Sequence, residues 1–348
     1  MSSFKILVGS YTAAITALNF VTNPASLNVL STSNVGQSPS WIASHPSNSS
    51  ILFSTFENSY GEVGSFTVDS QGRLTKAASV YSGGQNPAHL AVLSSGKEIY
   101  VTNYNSGTAE SIPLLSDNLR FGNPGAVTTF TGSGPNKDRQ TSSHPHEVIE
   151  GSGELFVPDL GSDKVWRLVK DGSTNNYRNV GSIQQAAGSG PRHGVVKDGQ
   201  LYILHELDNK LTQQTIPPVG SSAAPVTVAS LSILPPNAPS GLGAGELLLS
   251  RPLSSGAQQY LYATNRGDPS GDSIAIFSLN PLKLVKQFKT NLNHIRGLAL
   301  GGPNDQYLVA GGLNGGGVAV YERINGGADF RLVAQNYGVS QPTGFVVI

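Results

Sequence analysis

Residues 190–210, GPRHGVVKDGQLYILHELDNK, place ionisable groups at both ends of a strand-turn-strand pattern. Arg192 and His193 open one apolar run, KDGQ reads as a turn, and a second apolar run stops on His205 and Glu206. If both runs are strands, the turn returns Glu206 to the side of Arg192. An arginine can grip a carboxylate or phosphate with paired donors, and a glutamate or histidine can move a proton near neutral pH. Similar residues recur elsewhere: His144 and His146 in HPHEV, Tyr104 in VTNYN, Glu246 in AGELLL, Arg266 in TNRG and Arg296 in IRGLAL. Together they describe chemistry on a small anionic molecule, which raises the question of what scaffold gathers residues so far apart.

The scaffold is legible as a repeat. Apolar runs that end in a small or polar cluster begin at Ile6, Ile51, Ile99, Leu155, Leu201, Leu261 and Tyr307, in steps of 45, 48, 56, 46, 60 and 46 residues. A further strand-like stretch follows each run, as in KVWRLV, SIAIFSL and GVAVYERI. A companion strand precedes six of them: PSWIAS, PAHLAV, PHEVIE, PRHGVV, AGELLL and IRGLAL. The seventh companion is PTGFVV at 342–347, so the last strand should complete the first blade and close a ring. The pattern predicts an all-β, seven-bladed β-propeller occupying 1–348 as a single domain. Pro/Gly/Ser-rich inserts at 122–143 and 217–244 account for the longer steps and read as surface loops.

Radial repetition turns equivalent positions into neighbours. The residue after the companion-strand proline gives Ser40, Ala88, His146, Arg192, Gly245, Arg296 and Thr343 around the ring. The next position gives Trp41, His89, Glu147, His193, Glu246, Gly297 and Gly344, which alternation should turn to the opposite face. The end of the following strand gives Tyr11, Glu57, Tyr104, Leu160, Glu206, Arg266 and Gly311. Arg192 and Glu206 are therefore expected at one mouth of the central channel, with His146 and Arg266 on adjacent blades. His193 and His205 fall in alternate registers and read as structural.

Composition removes several classes. The chain has 22 basic and 22 acidic residues and no basic run, so neither nucleic acid nor an anionic membrane is an expected partner. It has no cysteine, hence no disulfide and no thiolate metal site. The N-terminus lacks the charged and extended apolar regions of a signal peptide, and no stretch approaches membrane-spanning length, which points to the cytoplasm. G-x-S-x-G and H-E-x-x-H are absent. Asp159, Asn103 and Asn265 share a register that could imitate a calcium site, but it is also where turn-forming Asx residues belong. No cofactor or metal is expected.

GSYT at 9–12, PAHLAV with YVTNYNSG, HPHEV with LFVPDLGSDKV, GPRH with HEL, and YATNRGDPSGDSIAIF resemble the lactonase group of seven-bladed propellers, blade by blade over nearly the whole chain. That group includes propeller-type 6-phosphogluconolactonases and carboxy-cis,cis-muconate cyclases. For the cyclase branch the resemblance implies an active site of one histidine, two arginines and one glutamate. Those roles fall on His146, Arg192, Arg266 and Glu206, with Tyr104, His144, Arg296 and Glu246 as substrate-binding candidates. The wording of HPHEV, GPRH and NRGD with DSIAIF is closer to the lactonase branch.

Lactone opening needs an activated water and a stabilised oxyanion, and closure in the cyclase direction needs a proton donor at carbon. An Arg266 beside Glu206 would favour the carboxylate, making Glu206 the expected base and His146 the expected acid. Three readings stay open: a metal-independent lactone hydrolase acting on a small anionic sugar-acid lactone, a lactonising cycloisomerase of a muconate-type dicarboxylate, and a protein-interaction propeller. The last is disfavoured because neither tryptophan is followed by aspartate, as a WD repeat would require.

Overall fold

The structure, a computed structural model, describes residues 3–348. Those residues form seven four-stranded antiparallel sheets, the blades of the predicted seven-bladed propeller. Contacts divide the chain into two compact units.

The first unit comprises Met1–Ser40, Asp69–Leu74 and Leu231–Ile348 and carries three blades. In one of them Pro342–Val347 lies beside Ser3–Ser10, with Leu7 opposite Val346 and Val8 opposite Phe345. The expected closure by the C-terminal strand is present. Thr343 Oγ1 adds a 2.6 Å bond to the Ser40 carbonyl. Two side-by-side apolar layers hold this unit together. One sets Ile6, Val8, Leu18 and Phe20 against Val309, Val318 and Val320, and the other sets Tyr262, Ile274 and Ile276 against Leu308, Tyr321 and Phe330. Each layer uses one face of two neighbouring sheets, the outcome that period-two alternation dictates.

The second unit, Trp41–Val68 and Thr75–Ser230, carries four blades built in the same manner. Phe53, Val63, Leu90 and Val101 fill the first of its inter-blade layers, Tyr100, Val157 and Trp166 the second, and Phe156, Ile183 and Ile203 the third.

Two expectations change in detail. The inserts are not loops throughout, because Thr128–Thr129 and Thr227–Ser232 within them form the outer strands of their blades. An outer strand faces solvent, so a polar, low-hydrophobicity segment can fill that place, which hid both from an apolar-run search. Alternation along the companion strands is also interrupted. The register shifts between Pro87 and His89 and between Pro191 and His193, and HPHEV is irregular except for a bridge from Pro145 to Asp159 before the short strand Ile149–Gly151. Each shift is a β-bulge, which re-aims the side chain it carries.

Among the described residues no helix is long and apolar enough to cross a membrane.

Candidate active site

Strands Pro191–Lys197 and Gln200–His205 form the predicted hairpin, and Asp198 and Gly199 both take positive φ in its turn. Such a turn matches the strand twist and fixes a two-residue connection. The hairpin's open end sets Pro191 opposite His205, leaving Arg192 in the bulge. Gly190 precedes it at φ +62°, and a Cβ there would stand 2.6 Å from Leu207 Cγ. Its carbonyl accepts the Glu206 amide at 2.7 Å, so the glutamate's backbone is tied to the base of the arginine's strand.

The side chains then meet. Nη1 of Arg192 donates to Oε2 of Glu206 at 3.2 Å and also to Nε2 of His146. All three residues are buried. A guanidinium can only donate. Nε2 of His146 therefore faces this guanidinium as an acceptor. His146 is held by its own amide bond to the Pro158 carbonyl, 2.9 Å, and by Thr102 Oγ1 donating to its carbonyl at 3.2 Å.

Tyr104 and His144 complete one wall. Their rings stack at 4.4 Å and 14°, and Nδ1 of His144 donates to the Tyr104 carbonyl at 2.9 Å. The Tyr104 ring meets His146 edge-on at 5.9 Å. Burial raises the Tyr104 phenol above its ordinary pKa, so it remains a neutral hydroxyl.

A second arginine on Glu206 was not anticipated. Arg139, from the 122–143 insert, donates through Nη2 to Oε1 of Glu206 at 2.6 Å and to the Tyr104 hydroxyl at 3.3 Å. Burial works against its charge, but the Glu206 carboxylate and Tyr104 outweigh that and raise its pKa. Arg139 stands outside every repeat register. The available signal was that it is the only arginine in the insert, seven residues before His146. Two guanidiniums therefore share the one Glu206 carboxylate.

Behind it lies a second group from the adjacent register. Glu147 accepts the Gly194 amide through Oε2 at 2.6 Å, and its Oε1 lies 3.4 Å from His193 Nδ1 and 3.9 Å from His89 Nε2. Trp41 packs on His89 with ring centres 4.4 Å apart, and His193 lies 4.9 Å from His146. Simple alternation would have separated the two registers, whereas the bulges bring His193 against His146. Burial, helped by Arg192, lowers the His89 pKa to about 3. His205 sits between Ser189 Oγ at 3.1 Å and Thr212 Oγ1 at 3.0 Å, and burial, with Lys210, likewise lowers it to about 3.

The remaining candidates belong to the first unit. Arg266 ends the strand Tyr260–Arg266 opposite Gly243 and is buried. Its Cγ lies where a Cβ on Gly245 would approach to 3.1 Å. Glu246 is buried and takes the Leu247 amide on Oε1 at 3.0 Å. The Arg296 guanidinium lies 5.2 Å above the Tyr11 ring.

The register that could imitate a calcium site does other work in this protein. Asp159 accepts five bonds: Ser143 Oγ at 2.7 Å, the His144 amide at 2.6 Å, the Gly161 amide at 3.0 Å, Ser162 Oγ at 2.6 Å and Trp166 Nε1 at 2.8 Å. Asn103 likewise binds Ser82 and Thr108, and Asn265 binds Asp272 and Ser273. These side chains organise the turns that carry Tyr104, His144 and Arg266.

The sequence from residue 5 to residue 347 matches the model of the lactonase family, described as a seven-bladed β-propeller. A protein of Formosa agariphila named 6-phosphogluconolactonase is 29% identical over 340 residues, covering 91% of this chain and 92% of its own length. Solved structures share the fold at lower identity. The periplasmic gluconolactonase of Pseudomonas aeruginosa superposes with a TM-score of 0.87 at 22% identity, covering 100% of this chain and 99% of that one. A Lactobacillus plantarum protein gives a TM-score of 0.87 at 23% identity, covering 100% of both chains. The chain belongs to the lactonase family of seven-bladed β-propellers.

Proposed function

We propose that this protein hydrolyses the lactone of a small anionic sugar acid, without a metal, at the group formed by His146, Arg192, Glu206 and Arg139. The observation that carries this reading is that Glu206 holds the guanidiniums of Arg192 and Arg139, at 3.2 and 2.6 Å, with Nε2 of His146 beside Arg192. A carbonyl oxygen entering the site offers Arg192 a replacement acceptor. As Arg192 turns to it, the Nε2 lone pair is released beside the polarised carbon. Water adds to that carbon as its proton passes to Nε2, and the guanidinium stabilises the oxyanion. The tetrahedral adduct then expels the ring oxygen, which takes the proton back from Nε2 and leaves the open hydroxy acid.

This changes the division of labour expected from sequence. Glu206, with an arginine on each oxygen, is stabilised as the anion and is suited to orienting the two cations rather than accepting the water's proton. The acceptor state of His146 likewise fits hydrolysis better than the cyclase direction, which would need a donor aimed at carbon. The name of the Formosa relative supports 6-phosphogluconolactone as a first substrate. Arg266, Arg296 and Glu246 enter the proposal as substrate contacts on their blade register alone, and a cytoplasmic location enters it on the N-terminal sequence.

The test is a panel of 6-phosphogluconolactone, gluconolactone and carboxymuconate, followed by acid release and by loss of diene absorbance. Acid release from a lactone well above its spontaneous rate is expected. A rate no faster than spontaneous, or turnover of the diene alone, would overturn the reading.

A further inference from the structure

Arg139 and Arg192 both hold Glu206, but they are presented differently. The Arg192 side chain is 3% exposed, whereas that of Arg139 is 43% exposed. Both hydrogen bonds of Arg139 use Nη2, so Nε and Nη1 make none. The Nε–H and the two Nη1–H groups lie on different sides of the guanidinium, so Arg139 keeps separate donors for the oxygens of an incoming phosphate or carboxylate.

The loop beneath is anchored although its side chain is not. Gln140 is fully buried. Its Nε2 donates to the Leu160 carbonyl at 2.8 Å and to Asp163 Oδ1 at 2.7 Å, and its Oε1 accepts the Asn136 amide at 3.1 Å. Gly134 passes so close that a Cβ there would meet Gln140 Oε1 at 2.4 Å. Arg139 thus has a fixed Cα next to a buried anchor and a long side chain reaching over the mouth of the His146 group.

We propose that Arg139 is the receptor for a second anionic group on the substrate, a phosphate or carboxylate carried away from the lactone carbonyl. The inference rests on the lactonase reading above and names the substrate feature that the site selects. Three facts support it together: an exposed guanidinium whose Nε and Nη1 make no hydrogen bond, two guanidiniums sharing the Glu206 carboxylate, and a backbone fixed by Gln140. Arg192 serves the carbonyl end, and Arg139 serves the distal end while Glu206 keeps both in place. The repeat contributes the first function and the insert contributes the second.

The experiment compares wild type with Arg139→Gln and Arg139→Lys, using 6-phosphogluconolactone, the lactone of a sugar diacid, and neutral gluconolactone. The readout is the ratio of KM for the neutral lactone to KM for each anionic one. Arg139→Gln should lower that ratio about tenfold to a hundredfold, the scale of a lost charge-assisted contact. Arg139→Lys, which keeps the charge but not the fixed planar array of donors, should recover part of it. Collapse with the phosphorylated lactone alone identifies phosphate as the group, and collapse with the diacid alone identifies carboxylate. An unchanged ratio would overturn the proposal, including one accompanied by equal shifts of the pH–rate profile for all lactones, because Arg139 would then act only through Glu206. Calorimetry of 6-phosphogluconate against gluconate needs no turnover. Loss of that preference in Arg139→Gln supports the assignment even if no lactone is hydrolysed, and equal affinities in wild type refute it.

Discussion

Replacing Glu206 by glutamine should destabilise the protein measurably as well as impair its chemistry. The carboxylate and Arg192 are 4% and 3% exposed, so neither is well solvated in the folded state. Taking the charge from one partner leaves the other buried without its counter-ion, which costs about 3–5 kcal/mol. Glutamine keeps an oxygen for one guanidinium and should fall near the lower end of that range. At roughly 2.1 cal/mol/K per residue, a chain of 348 residues has an unfolding entropy of about 0.7 kcal/mol/K, so the midpoint should drop by about 4–7 °C. The assay is thermal unfolding of Glu206→Gln, Arg192→Met and the double variant. Once Arg192 is gone the buried positive charge is gone, and the second substitution should cost less than it does alone. The exposed pair Arg120–Asp117 supplies a control, since Arg120→Ala should scarcely move the midpoint. The reasoning fails if the two site substitutions add to within about 0.5 kcal/mol, or if Glu206→Gln behaves like the control.

Other expectations follow from the same geometry. His146→Asn should lower kcat by about two to four orders of magnitude with a smaller effect on KM, measured by steady-state acid release, and an unchanged kcat would remove His146 from the proton path. Gln140→Ala should loosen the insert without touching substrate. Limited proteolysis should then cut within 131–140 faster, and the KM ratio should move in the direction expected for Arg139→Gln. Stability should also depend on pH. His89 and His205 have folded pKa values of about 3 against an ordinary 6.5, so the unfolded chain takes up two more protons between those values. Their contribution is complete above pH 6.5 and is lost as pH falls toward 3. Glu110, which burial raises to about 7, opposes this between pH 4.5 and 7, because there the folded state holds the extra proton. Midpoints measured from pH 4 to 8 should rise toward neutrality, and Glu110→Gln should raise the midpoint at pH 8 but not at pH 4.

Repetition determined how much of this was legible beforehand. Seven apolar runs and their companions located the blades, and the leftover PTGFVV located the closing strand, because those segments must be apolar to fill the layers between sheets. The Arg192–Glu206 pair could be read from KDGQ alone, since a two-residue turn fixes which residues face each other at the open end. Arg139 could not be read in this way. It belongs to an insert with no counterpart in other blades, and its approach depends on Gln140 reaching Leu160 and Asp163, a contact without sequence periodicity. The approach of His193 to His146 was missed for a different reason. Two-residue alternation assumes an unbroken ladder, and one bulged residue at Arg192 is enough to shift it.

The packing of Trp41 on His89 also has an optical consequence. The chain has two tryptophans, Trp41 and Trp166, and both lie in the second unit. Trp166 is stacked on Phe130 at 5.4 Å and bonded to Asp159, while Trp41 lies 5.8 Å from His193 and bonds the Leu90 carbonyl at 3.1 Å. Indole emission therefore reports the four blades of that unit and is silent about the other three. Circular dichroism reports all seven. Following one unfolding transition by both signals would show whether the two units come apart together, with no label added and no residue changed.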